Sequence, residues 1–183
     1  IEIINICTGT KELLVSQRHL IKAEKNSEVS IIEQNISIDA KNSIVNSAAD
    51  IFVAENAKVQ FYRVQNECRG ISQISSVNVI QEANSHFDTN TITLGTEWAR
   101  SNLNIALNGA HCESHLNGLF ITGGNDHIDN HTSVQHNKPH GQSNQLYKGI
   151  LDGKSTGIFN GKIFVERDAQ KTNAYQSSKN ILL

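Results

Sequence analysis

Val29-Ser-Ile-Ile-Glu-Gln-Asn-Ile-Ser-Ile38 alternates β-branched and polar residues and lies between the turn pairs Asn26-Ser27 and Asn42-Ser43. A period of two in a run this short, closed by Asn and Ser, reads as a half-buried strand. The same grammar returns in Lys58-Val-Gln-Phe-Tyr-Arg-Val64, Leu103-Asn-Ile-Ala-Leu107 and Lys162-Ile-Phe-Val165. The segment from Glu12 to Lys22 suits a helix or a strand with polar ends. A single proline, Pro139, and many β-branched residues favour β structure throughout.

The punctuation between the runs is regular. Asn26-Ser27, Asn42-Ser43, Asn56-Ala57, Arg69-Gly70, Asn84-Ser85, Asn108-Gly109, Gly124-Asn125, Asp152-Gly153 and Asp168-Ala169 mark turns. Most successive turns lie about 14 to 16 residues apart and alternate turns about 25 to 30, a period that suggests a solenoid. The predicted architecture is all-β: a parallel β-helix in one domain, with inward apolar residues stacked rung on rung about 4.8 Å apart. Asn and Gly fit its corners because they tolerate positive φ. Leu116-Asn-Gly-Leu-Phe-Ile121 and Phe159-Asn-Gly-Lys-Ile-Phe-Val165 read as one corner and strand used twice. An antiparallel sandwich or barrel with regular turns is the competing architecture.

Composition excludes several classes. The net charge is −2 and the basic residues are dispersed, so neither nucleic acid nor an anionic membrane is an expected partner. No apolar run approaches the roughly 20 residues that span a bilayer, and no secretory signal opens the chain. Cys7, Cys68 and Cys112 are an odd, scattered set, which argues against a disulfide framework and for a reducing, cytoplasmic setting. The sequons at Asn35 and Asn130 are short enough to arise by chance.

Four constellations bear on chemistry. Gly149-Ile-Leu-Asp-Gly-Lys154-Ser155 resembles a phosphate-binding loop but is one residue short, and strand-like sequence follows where a helix is required, so a glycine corner is the better reading. In His111-Cys-Glu-Ser-His115 the glutamate is misplaced for a zincin helix. As a strand it puts the two histidines about 13 Å apart, beyond one ion. The densest polar segment runs from His127 to His140. If Ile128 and Val134 face inward, His127, Asp129 and His131 face outward. They form either a structural ladder or, with His136, a metal or protein contact. Finally, His86, His111 and His136 recur at an interval of about 25 residues, close to one rung, which predicts a stacked histidine column if the chain is a β-helix. Cys112 would then lie beside the column as a packed small residue. No catalytic triad or paired carboxylate set is defined, so no catalytic residue is assigned.

Three runs carry a resemblance to a known family. They are Gly123-Gly-Asn-Asp-His127-Ile-Asp-Asn-His131-Thr-Ser-Val-Gln-His136, Ser143-Asn-Gln-Leu-Tyr-Lys-Gly-Ile-Leu-Asp-Gly-Lys-Ser-Thr-Gly-Ile-Phe-Asn-Gly-Lys162, and Ala169 to Leu183. With Arg100-Ser-Asn-Leu-Asn-Ile-Ala-Leu-Asn-Gly109, they are similar to the SufB/SufD family of iron–sulfur cluster assembly scaffolds, closer to its SufD branch. The resemblance implies a right-handed parallel β-helix and a non-enzymatic scaffold that works with SufB and the SufC ATPase in iron acquisition and cluster building. It implies that residues 1–183 are the β-helical core alone, without the family's N-terminal region, its later Cys- and His-bearing segment, or the C-terminal helices that dock SufC. The chain opens at Ile1 and contains no Met, as a fragment or processed form does. On this reading the core holds no cofactor alone, iron or an iron–sulfur cluster belongs to the full complex, and a homodimer is the other possible association. The alternatives are a stand-alone metal-binding β protein using His127, Asp129, His131 and His136, and a β-helical polysaccharide-active enzyme. An aromatic content of 5% with one tryptophan, Trp98, argues against the second.

Overall fold

The computed structural model describes residues 1–9, 11–40 and 42–183. Every regular element in it is a strand. One sheet holds the odd-numbered strands: β1 (Glu2–Thr8), β3 (Glu28–Ile38), β5 (Lys58–Asn66), β7 (His86–Leu94), β9 (Glu113–Thr122), β11 (Gln142–Leu151) and β13 (Asn173–Leu182). The other holds β2 (Leu14–Ala23), β4 (Ser43–Val53), β6 (Ile71–Gln81), β8 (Trp98–Leu107), β10 (His127–His136) and β12 (Thr156–Val165). All recorded pairings are parallel and join a strand to the next of the same parity. The chain thus alternates between two sheets as it climbs, a β-solenoid of about six coils. The Glu12–Lys22 segment resolves as strand β2 from Leu14 onward.

The register sets the rung length. Glu2 lies beside Ile32, Lys58 beside His86, His86 beside Glu113, and Gln142 beside Asn173. One coil therefore takes roughly 30 residues, inside the range of solenoid repeats. The shortest coil on the other sheet brings Ser72 beside Trp98. The corners explain this regularity. Asn26, Asn56 and Asn84 all adopt positive φ (60°, 58° and 56°), as do His111 (59°), His140 (63°) and Lys171 (60°) at the equivalent place in later coils. One left-handed residue per coil therefore forms a column, and the Asn56 side-chain amide donates to Asn26 Oδ1 at 3.1 Å within it. Asn is the cheapest non-glycine residue there.

Inward residues fill a narrow core. Phe61, Phe87, Phe120, Ile31, Ile51, Ile105, Leu107 and Leu116 are almost wholly buried. The two Asn-Gly motifs lie within strands β9 and β12, in opposite sheets, and not at corners. For Gly118 the environment gives the reason, while a Cβ on Gly161 would meet the Gln176 side chain. A Cβ on Gly118 would collide with the ring of its rung neighbour Tyr147, and one on Gly149 or Gly157 with the ring of Phe120. Glycine mid-strand makes room for an aromatic ring in a lumen only one side chain deep. Tyr147 in turn stacks on Phe159 from the facing sheet, centroids 4.5 Å apart.

Candidate functional site

The His127–His136 segment is β10, and alternation divides its side chains as the apolar residues require. Ile128, Asn130, Thr132, Val134 and His136 point inward; His127, Asp129 and His131 point outward. The outward Asp129 is 7% exposed and receives a hydrogen bond from Arg100 Nη1 at 2.8 Å, one strand away on β8. His131 Nε2 lies 2.8 Å from Asp129 Oδ1, although that oxygen has no aligned donor. His127 stacks on Trp98, its register neighbour, with ring planes 16° apart. His136 is fully buried, and its Nε2 sits 3.0 Å from Ser143 Oγ while Nδ1 has no partner. The four predicted donors do not converge: Asp129 and His131 touch, His127 is held by a tryptophan, and His136 belongs to the core.

Nor do His86, His111 and His136 form a column. Their interval undershoots the coil. His86 has Lys58 and Glu113 as neighbours, His136 has Leu107 and Val165, and His111 sits at a corner beneath Asn84. The histidine stack that does form is His111 on His140, with centroids 4.6 Å apart and planes 6° apart. Both occupy the left-handed corner column, a place the sequence marks clearly only where it carries Asn.

The cysteines are all free. Cys112 is fully buried, and its thiol donates to the carbonyls of Glu82 and Gly109, each at 3.1 Å. Burial pushes its pKa up, with Ser85 opposing, and burial likewise raises that of Cys7. Cys68 alone is exposed, accepting from Ser37 Oγ at 2.9 Å. The Gly149–Ser155 segment leaves β11 through a turn with Gly153 at φ 68° and enters β12, with no helix to present amides to a phosphate.

Two polar clusters escaped the sequence reading. The first lies inside the solenoid. Glu33 and Arg63, register neighbours on β3 and β5, are each about 2% exposed, with Arg63 Nε 3.7 Å from Glu33 Oε2. Arg63 also donates to Ser47 Oγ at 2.9 Å, and Asn5 Nδ2 donates to Glu33 Oε1 at 3.2 Å. Gln65 donates to the nearby Glu67, whose carboxyl burial pushes up. Both polar ends of the buried Gln73 side chain lack a partner. Odd-parity positions in an alternating strand signal burial, yet nothing in a lone sequence shows that Glu33 and Arg63 meet a full coil apart. The second cluster lies on the outer face of the odd-numbered sheet, where His86, Asp88 and His115 place donor atoms within 4.8 Å of one another.

The family profile described as "SUF system FeS cluster assembly, SufBD core domain" matches residues 6–183. The chain belongs to the SufBD family. A SufBD family iron–sulfur cluster assembly protein of Synechocystis sp. is 30% identical to it, over 93% of this chain and 40% of the relative. The chloroplastic protein ABCI7 of Arabidopsis thaliana is 28% identical, over 95% and 37%. The iron–sulfur cluster assembly protein SufD of Escherichia coli is 26% identical, over 91% and 39%. The chain therefore spans about two fifths of the length of these relatives. In it the SufBD core domain is the two-sheet solenoid itself, since the match runs from within β1 through β13.

Proposed function

We propose that the full-length protein is a SufD-type scaffold subunit that pairs with a SufB-type subunit and, through segments outside this stretch, engages the SufC ATPase. In that assembly it supports iron acquisition and cluster building, and the cluster belongs to the complex. The observation that carries the reading is the family match along the entire solenoid, with relatives named SufD among the similar proteins. The subunit itself performs no catalytic step. Among the described residues no helix is long and apolar enough to cross a membrane, and we place the complex in the cytoplasm.

A parallel solenoid suits such a role physically. Stacked rungs give a stiff body whose flanks and open coil edges can pair with a similar solenoid. Size analysis of the full-length protein mixed with SufB-type and SufC-type partners is expected to give a complex larger than any component. Elution of every component at its own size would defeat the proposal. A homodimer by itself would leave a self-paired scaffold in its place.

A further inference from the structure

The cluster on the outer face is a two-by-two grid. His86 and Asp88 are two residues apart on β7, Glu113 and His115 two apart on β9, and all four point outward. The parallel register sets His86 beside Glu113 and Asp88 beside His115. Imidazoles therefore occupy one diagonal and carboxylates the other, so each ring meets both acids. His86 Nε2 lies 2.9 and 3.0 Å from the two oxygens of Asp88, and Nδ1 lies 3.4 Å from Glu113 Oε2. His115 Nδ1 lies 2.9 Å from Asp88 Oδ1, and Nε2 lies 3.2 Å from Glu113 Oε1. The two rings meet edge to face, centroids 5.4 Å apart.

These are the dimensions of a coordination shell. A tetrahedral ion with bonds of about 2.0–2.1 Å holds its ligand atoms about 3.3 Å apart. Asp88 Oδ1 lies 2.9 Å from both His86 Nε2 and His115 Nδ1, and the donor atoms of these three residues lie within 4.8 Å of one another, so small side-chain shifts bring three donors round one ion; Glu113 meets the opposite nitrogen of each ring and stands beside that set. Asp88 and two neutral imidazoles supply one negative charge to a divalent ion, and the neighbouring Glu113 carboxylate adds a second close by. Mixed nitrogen and oxygen donors suit zinc or ferrous ions over calcium and magnesium, which take oxygen alone, and the absence of a thiol from the set disfavours copper(I). The backbone spacing is fixed by two hydrogen-bonded strands, so the donor arrangement is largely preformed.

The surroundings are compatible. In the preceding coil, Lys58 and Gln60 flank the grid, and the Lys58 ammonium turns to Glu28 at 3.3 Å. In the following coil, Gln142 and Asn144 are neutral neighbours. A hollow of about 340 Å³ bordered by Tyr62, Asp88, Asn90, His115, Asn117 and Asn144 opens beside two of the donors. It leaves room for water or a small ligand on the ion, as an open site requires. We propose that His86, Asp88 and His115 bind one divalent transition-metal ion of the zinc or ferrous class, with the fourth position open to the hollow. The proposal rests on these side chains and stands independently of the scaffold assignment.

Calorimetric titration of the chelator-treated full chain with Zn²⁺, and anaerobically with Fe²⁺, is the test. One ion per chain with Kd of about 10 μM or tighter is expected. Asp88→Asn and His115→Ala should each weaken binding at least about tenfold, while His131→Ala, at the other His–Asp contact, should leave it unchanged. In the unaltered protein, Zn²⁺ should shield His86 and His115 from diethyl pyrocarbonate and leave the reactivity of His127 unchanged. That readout holds even if a variant misfolds. No saturable binding of either ion, binding indifferent to Asp88→Asn and His115→Ala, or equal modification of His86 and His115 with and without Zn²⁺ would each overturn the site.

Discussion

His136 shows how one buried imidazole shapes the response to pH. Burial holds its pKa below the ordinary histidine value, because charging the ring inside the core is costly. The unfolded chain therefore takes up a proton at about pH 6.5, before the folded one does. Stability is complete above that value and falls as the pH drops below it, by at most about 1.4 kcal/mol per pH unit from this group. Gln at this position can still reach Ser143 but does not titrate. Denaturant unfolding at pH 7 and near pH 5.5 should show a smaller acid loss for His136→Gln than for the wild type. Equal losses would assign the sensitivity elsewhere. Gly141 belongs to the same arrangement, since a Cβ there would sit 2.6 Å from His136 Nδ1.

The thiols divide just as sharply by environment. Cys112 is enclosed, its proton is committed to two carbonyls, and burial disfavours the thiolate. Cys68 faces solvent. A thiol-reactive dye should label Cys68 quickly and Cys112 only on unfolding, so Cys68→Ser should remove the fast phase. Rapid labelling of Cys112 in the folded protein would contradict this packing.

At the scale of the element, β3 and β5 bury the Glu33–Arg63 pair in the lumen. Breaking such a pair costs more than replacing it, because the orphaned charge stays buried. Glu33→Ala should therefore lose about 3–5 kcal/mol in denaturant unfolding, while Glu33→Leu with Arg63→Met should recover most of that loss. A double variant no better than the single would mean that polar neighbours such as Ser47 and Asn5, and not charge compensation, govern the site. The strands themselves were legible in the sequence: alternation at Val29–Ile38 and Lys58–Val64 matches β3 and β5, and Ile128 and Val134 correctly oriented β10. What was hidden lies between elements. Whether Asn117-Gly118 and Asn160-Gly161 make corners or strands depends on what stands one coil away, and Tyr147, beside Gly118, comes a full coil later in the chain. The grid of His86, Asp88, Glu113 and His115 was split in the same way, because a pair of residues on one strand shows nothing of the pair beside it until the register is known.

At the scale of the whole molecule, the solenoid is nearly one-dimensional. The strand ladders pair neighbours of the same parity, and the principal contacts link consecutive coils. Stability in such a body is close to a sum of coil terms and interface terms, so damage spreads to adjacent coils and fades with distance. Gly118→Ala makes a suitable lesion. The new methyl has no room against Tyr147, whose ring is itself pinned by Phe159, and overpacking of this kind costs about 1–3 kcal/mol. In hydrogen exchange, β9 and β11 should lose most protection, with smaller losses in β7 and β13 and in the facing strand β12. Strands β1 to β3, several coils away, should exchange as in the wild type. A loss of protection shared evenly from β1 to β13 would mean that the solenoid unfolds as a single cooperative unit.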